Sequence, residues 1–227
     1  MQPHDRLVVA VDLSARDEIL RLVDTLQGSV GVFKIGLQAF IANGPAIVRD
    51  VVARGERVFL DLKIHDIPNT AKHAVAEAAA LGASIATVHT AGGESMLRAC
   101  NHDTLLVLGV TVLTSLSETD LQQIGFGGTA VDNAVRLARL AQSSGLRGVV
   151  ASPLEIEPIR EACGTDFVIL TPGIRPKGSD VGDQQRVMTP GEAVRAGADY
   201  IVVGRPITSA ADPRSAARRV VEEMSAI

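Results

Sequence analysis

Short apolar runs alternate with amphipathic stretches along the whole chain, and this alternation constrains the fold more than any other feature. The runs fall at 7–11, 32–35, 57–63, 84–88, 105–113, 148–151, 167–170 and 200–203. Each is about the length of a strand, and their nearly unbroken apolar character marks strands covered on both faces. Between them apolar residues recur at helical spacing, as in Ile19, Leu22, Val23 and Leu26, with Ser14 expected to cap that helix. One helix is expected over 39–54, stopped by Gly55. An Ala-rich helix is expected to run to Leu81, with Asn69 as its cap. Others are expected over 93–99, 130–143, 154–162 and 190–196, and a closing helix starts at Asp212 with Pro213 at its first position. Eight strand–helix units joined by right-handed crossovers close into a parallel eight-stranded (β/α)8 TIM barrel of the α/β class. No linker interrupts 1–227, so a single barrel domain is expected. An open doubly wound sheet is the competing arrangement. The first turn, Asp12-Leu13-Ser14-Ala15, lacks the glycines of a dinucleotide-binding fingerprint, which weakens that alternative.

Composition narrows the class. Hydrophobic residues make up 46% but aromatics only 3%, with no Trp, so the core must be aliphatic, as suits helices on a parallel sheet. The net charge of −4 argues against nucleic acid as a partner. Cys100 and Cys163 lack metal or redox spacing, which points to a reducing, cytoplasmic setting. The residues before the first strand contain no apolar signal region, and no uncharged run is long enough to span a membrane.

A barrel keeps its chemistry where its strands end. Those ends carry Asp12, Lys34, Asp61 with Lys63, His89, Thr114, Gly173 and Gly204-Arg205. The densest stretch is Asp61-Leu62-Lys63-Ile64-His65-Asp66. Residues two apart on a strand share a face, so Asp61 and Lys63 are expected side by side. The chain has only four lysines, and two of them, Lys34 and Lys63, sit in apolar strands. Lysine is rarely buried, so function is favoured over a structural ion pair for both. Asp61, Asp66 and a histidine are a conceivable ligand set for a divalent ion. Two lysines beside them would repel it, so a metal-free array of alternating charges fits better.

The turns Pro172-Gly173-Ile174-Arg175 and Gly204-Arg205-Pro206 follow the seventh and eighth strands, where barrels commonly bind phosphate. Glycine admits an anion to the backbone and arginine offers a bidentate fork, which favours phosphate binding by Arg205 over a surface salt bridge. The polar stretch 174–189 has no apolar period and is expected to be a lid. Gly125-Phe126-Gly127-Gly128 lacks the Lys-Ser/Thr of a P-loop and is read as a turn. His89 is either a packed histidine or a site residue. Asn69 and Thr70 either cap a helix or serve the site.

Taken together, these segments resemble the orotidine 5′-phosphate decarboxylase family. The resemblance is carried by Val11-Asp12, Phe33-Lys34-Ile35-Gly36, the run from Asp61 through Pro68-Asn69-Thr70, Val112-Leu113-Thr114-Ser115, Thr171-Pro172-Gly173-Ile174-Arg175-Pro176, Gly182-Asp183-Gln184-Gln185-Arg186 and Val203-Gly204-Arg205-Pro206. It implies a homodimeric barrel, free of metal and organic cofactor, that converts orotidine 5′-monophosphate to uridine 5′-monophosphate and CO2. By motif it implies Lys63 as proton donor within a network of Lys34, Asp61, Lys63 and Asp66. Asp66 and Thr70 would reach into the partner subunit's site. Asp12 and Lys34 would bind ribose hydroxyls, Asp61 would also face the substrate, and Thr114 would contact the pyrimidine. Arg175, Gln184, Gly204 and Arg205 would hold the phosphate or the lid. Two rivals differ in chemistry. Magnesium-dependent hexulose-phosphate aldolases and ketogulonate-phosphate decarboxylases of the same superfamily place a carboxylate where this chain has Lys34. A non-catalytic nucleotide-binding barrel would have no need of a buried lysine.

Overall fold

A computed structural model describes residues 2–177 and 187–225. Eight strands close in chain order into a barrel, every neighbouring pair parallel, with β8 paired back to β1. The strands are β1 (Leu7–Ala10), β2 (Val32–Gly36), β3 (Val58–Ile64), β4 (Ile85–His89), β5 (Leu106–Val110), β6 (Gly148–Val150), β7 (Val168–Thr171) and β8 (Tyr200–Val203). The α-helices between and after them are α1 (Arg16–Leu26), α2 (Leu37–Asn43), α3 (Ala46–Val52), α4 (Pro68–Ala80), α5 (Gly93–Ala99), α6 (Glu118–Gln123), α7 (Ala130–Ser143), α8 (Ile156–Cys163), α9 (Pro190–Ala196), α10 (Arg205–Thr208) and α11 (Pro213–Ser225).

The period of two along the strands sorts the core into two layers. Val8, Ala10, Val32, Phe59, Ile85, Leu108, Leu170, Tyr200 and Val202 fill the barrel interior. Their sequence neighbours, such as Leu7, Val9, Phe33, Leu60 and Ile201, face outward onto the helices. The same parity decides which side chains rise above the interior. It carries Val8 and Ala10 on to Asp12, Val32 on to Lys34, Phe59 on to Asp61, and Ile85 on to Thr87.

Several local expectations are corrected. The helix expected over 39–54 is two helices, because Gly44 adopts a left-handed φ of 62° and Pro45 follows it at the start of α3. Ser14 does not cap α1. Ala15 holds that position, and the Ser14 hydroxyl instead accepts a hydrogen bond from Gln38 Nε2 at 3.0 Å. Asn69 does not cap α4. Pro68 opens that helix with its fixed φ, leaving Asn69 and Thr70 in the first turn. The fifth strand stops at Val110, so Thr114 lies on the loop beyond it. Among the described residues no helix is long and apolar enough to cross a membrane.

Candidate active site

The carboxyl ends of the strands surround a cavity of about 480 Å³. Its floor is apolar, formed by Ala10, Phe59, Val110, Val150, Leu170 and Val202. Its wall is charged on one side by Asp12, Lys34, Asp61 and Lys63. Thr114, Pro172, Gly173, Arg175, Gly204 and Arg205 line other parts of it.

The charged wall alternates in sign. Lys34 Nζ lies 3.2 Å from Asp12 Oδ1 and 3.7 Å from Asp61 Oδ2. Lys63 Nζ donates to both oxygens of Asp61, at 3.0 and 2.9 Å. Asp61 is thus shared by two ammonium groups, and its side chain is only 12% exposed. Such charges are tolerated in a poorly solvated wall because each finds an opposite partner at contact distance.

The backbone around Lys63 departs from a regular strand. Lys63 has φ 53°, and among the described residues it alone combines a side chain with a positive φ. The ladder shifts at the same place, β3 advancing from Leu60 to Ile64 while β4 advances only from Ala86 to Val88. Left-handed backbone at a non-glycine residue costs on the order of 1–3 kcal/mol and is held only by its surroundings. One holder is Thr87, fully buried on β4. Its hydroxyl accepts the Lys63 backbone N–H at 3.0 Å and donates to Asp61 Oδ1 at 2.9 Å.

Eight of the eleven site residues read from sequence stand around this cavity: Asp12, Lys34, Asp61, Lys63, Thr114, Arg175, Gly204 and Arg205. Asp66 and Thr70 do not line it. Both are exposed, and Asp66 Oδ1 accepts the backbone N–H of Ile67 at 2.7 Å. Exposed Ile67, Leu37 and Ile41 lie on or next to the helices that follow β2 and β3. Gln184 and most of the expected lid lie outside the described residues. The base of that segment is visible, where Ile174 bridges to Met188 and the Arg175 N–H donates to the Met188 carbonyl at 3.0 Å.

His89 ends β4 outside the cavity wall, its ring 5.5 Å from that of His65. Burial pushes its pKa below the ordinary histidine value. His65 and Lys63 push the same way, and Asp61 opposes them. Sequence reasoning missed Phe59 in the floor, Gln38 in the wall and Thr87 behind it. The period of two through Ile85 and Thr87 was the available signal for the last. Among the described residues no three His, Cys, Asp or Glu side chains are grouped to hold a metal ion.

Residues 5–220 match the model of the orotidine 5′-phosphate decarboxylase / HUMPS family. The chain is 48% identical over 239 residues to orotidine 5′-phosphate decarboxylase of Moorella thermoacetica, covering 100% of this chain and 95% of that protein. It is 47% identical over 237 residues to the protein of the same name from Heliobacterium modesticaldum, covering 99% and 98%. The crystal structure of orotidine 5′-phosphate decarboxylase from Lactobacillus acidophilus superposes with a TM-score of 0.86 at 34% identity, covering 97% of this chain and 99% of that one.

Proposed function

The chain belongs to the orotidine 5′-phosphate decarboxylase / HUMPS family, and from that premise we propose that it is a single-domain barrel enzyme decarboxylating orotidine 5′-monophosphate to uridine 5′-monophosphate, in de novo pyrimidine synthesis. The observation that carries the reading is Lys63. Its ammonium stands at the cavity wall, held by both oxygens of one carboxylate on a strained backbone.

The chemistry asks for such a group. When the C–C bond to the carboxylate breaks, CO2 departs and leaves its electron pair on a ring carbon with no adjacent carbonyl to delocalise it. A fixed cation at that carbon stabilises the developing charge. Lys63 then gives the carbon a proton, and its neutral amine recovers one from solvent. Asp61 aims the ammonium, and Lys34 and Asp12 keep Asp61 from turning away. Asp12 and Lys34 take ribose hydroxyls, and Thr114 meets the pyrimidine; their position in the cavity wall supports this reading. Arg175, Arg205 and the backbone at Gly204 take the phosphate, and the family resemblance assigns Gln184 to the same group. Phosphate binding far from the reacting carbon supplies energy for ordering the charged wall.

No metal or organic cofactor enters this scheme. A magnesium ion at Asp61 would have to displace two ammonium groups within 3.7 Å of its oxygens. The reading includes a homodimer in which Asp66 and Thr70 enter the neighbouring subunit's cavity. Their exposure beside uncovered Ile67 supports that assignment. It also includes a reducing, cytoplasmic setting and no nucleic-acid or membrane partner. Both cysteines are free and buried, and burial pushes the Cys100 thiol up to about 11, which suits structural rather than redox use.

The test is the absorbance change on mixing the purified protein with orotidine 5′-monophosphate in excess chelator. Full activity there, lost in Lys63→Ala by far more than the roughly 100- to 1000-fold of a single charge contact, is expected. A Lys63→Ala variant near the wild-type rate would show that the lysine is not the proton donor.

A further inference from the structure

We propose that Thr87 is a positioning residue for the reaction, fixing Lys63 and Asp61 together through one hydroxyl; this rests on the decarboxylase reading above. Thr87 is fully buried and does not line the cavity, so it acts on the reaction only through the groups it holds. One lone pair of its oxygen takes the Lys63 N–H, at the residue whose φ is 53°. Its proton goes to Asp61 Oδ1, the oxygen that also receives the Lys63 ammonium.

The two bonds have different effects. The first holds the backbone of Lys63 in a conformation that it would otherwise leave, where the β3–β4 register shifts. The second fixes the rotation of the Asp61 carboxylate, and so the direction from which Lys63 Nζ is pulled. The donor end and the root of the lysine are therefore referenced to the same atom on the neighbouring strand. Without that atom, the ammonium keeps its charge but loses its place. A misplacement of about 1 Å at a reacting group costs on the order of 100-fold.

The experiment compares Thr87→Val, which keeps the shape and removes the hydroxyl, with Thr87→Ser, which keeps the hydroxyl. Decarboxylation by Thr87→Val is expected to show kcat lowered roughly 10- to 100-fold, the scale for losing a partner that orients a functional group. KM and the affinity for uridine 5′-monophosphate should stay near wild type, and Thr87→Ser should recover most of the rate. Hydrogen exchange at the Lys63 amide should accelerate in Thr87→Val and slow again in Thr87→Ser. Should the valine variant not fold, Thr87→Ala serves in the same comparison. An undiminished kcat without the hydroxyl would overturn the proposal. So would a serine variant as slow as valine, or equal loss of kcat, product affinity and melting temperature. A wild-type protein inactive on orotidine 5′-monophosphate would instead sink the decarboxylase reading, leaving the amide exchange to judge whether Thr87 holds Lys63.

Discussion

Replacing Asp61 with Asn isolates the anion at the centre of the charged wall. Asp61 lies 2.9 Å from Lys63 Nζ and 3.7 Å from Lys34 Nζ. At an effective dielectric of about 20, contacts at these distances are worth roughly 6 and 4–5 kcal/mol before desolvation is counted. Desolvation offsets much of this in the intact wall. In Asp61→Asn both lysines remain, and among the described residues their only other carboxylate in the wall is Asp12, which is 55% exposed. Breaking a buried pair from one side costs about 3–5 kcal/mol. The lower end applies, because the Lys63 side chain is 31% exposed and Lys34 keeps Asp12. At about 2–4 °C per kcal/mol for a chain of this size, a loss near 3 kcal/mol lowers the melting temperature by roughly 6–12 °C. Calorimetry on both proteins measures this directly, and activity should fall at least 100-fold, on the order of losing a preorganised charge contact. Lys63→Ala should melt closer to wild type, since Lys34 still pairs with Asp61. If Asp61→Asn melts at or above the wild-type temperature, the wall is a set of mutually strained charges and the account of its cohesion is wrong.

Gly36→Ala would put a methyl carbon 2.9 Å from Lys34 Nζ and 3.3 Å from Asp12 Oδ1. The flexible lysine end gives way rather than the backbone, so the melting temperature should barely move while activity drops on the order of 100-fold for a shift of about 1 Å; an unchanged rate would argue against a role for Lys34 at that position. Arg205→Ala should weaken uridine 5′-monophosphate binding by roughly 10- to 100-fold in calorimetric titration, corresponding to about 1.5–3 kcal/mol for a hydrogen bond to a charged group; unaltered affinity would remove Arg205 from the phosphate site. His89 carries a lowered pKa through burial, His65 and Lys63, opposed by Asp61, so the unfolded chain binds its proton more readily than the native one. Its contribution to stability is full above about pH 6.5 and is lost as pH falls from there toward the folded value. Urea unfolding of His89→Gln should therefore show a shallower decline over that window than wild type, and equal slopes would contradict the assignment.

The barrel was legible because eight apolar runs stand out against their amphipathic neighbours, and because the turn after β1 lacks the dinucleotide glycines. Most of the charged wall was legible for a related reason: a lysine in an apolar strand is conspicuous. Caps were less so. Asn69 has the chemistry of a cap, but Pro68 fixes the start of α4 one residue earlier. Apolar spacing across 39–54 concealed the break at Gly44-Pro45, since the pattern of buried residues continues from α2 into α3. Lys63 carries no local mark of its left-handed backbone, which is imposed by contacts from β4. Thr87 reads in sequence as an ordinary β-branched strand residue, and only its partners in space distinguish it. Asp66 is close to Lys63 along the chain, but its carboxylate turns to the Ile67 N–H at the exposed start of the next helix.

The seam between β1 and β8 has a bearing on synthesis. The first strand of the barrel to be synthesised is hydrogen-bonded along one side to the last, Leu7 to Ile201 and Val9 to Val203. Asp12 follows β1, and Gly204-Arg205 follows β8, so neighbouring parts of the cavity wall are separated by the synthesis of the six strands between them. A nascent chain that still lacks β8 holds Lys34, Lys63 and Asp61 on an unclosed sheet, with β1 exposing a bare edge. Such a chain offers sites for aggregation before it offers a catalytic centre, and both conditions end together when the eighth strand docks.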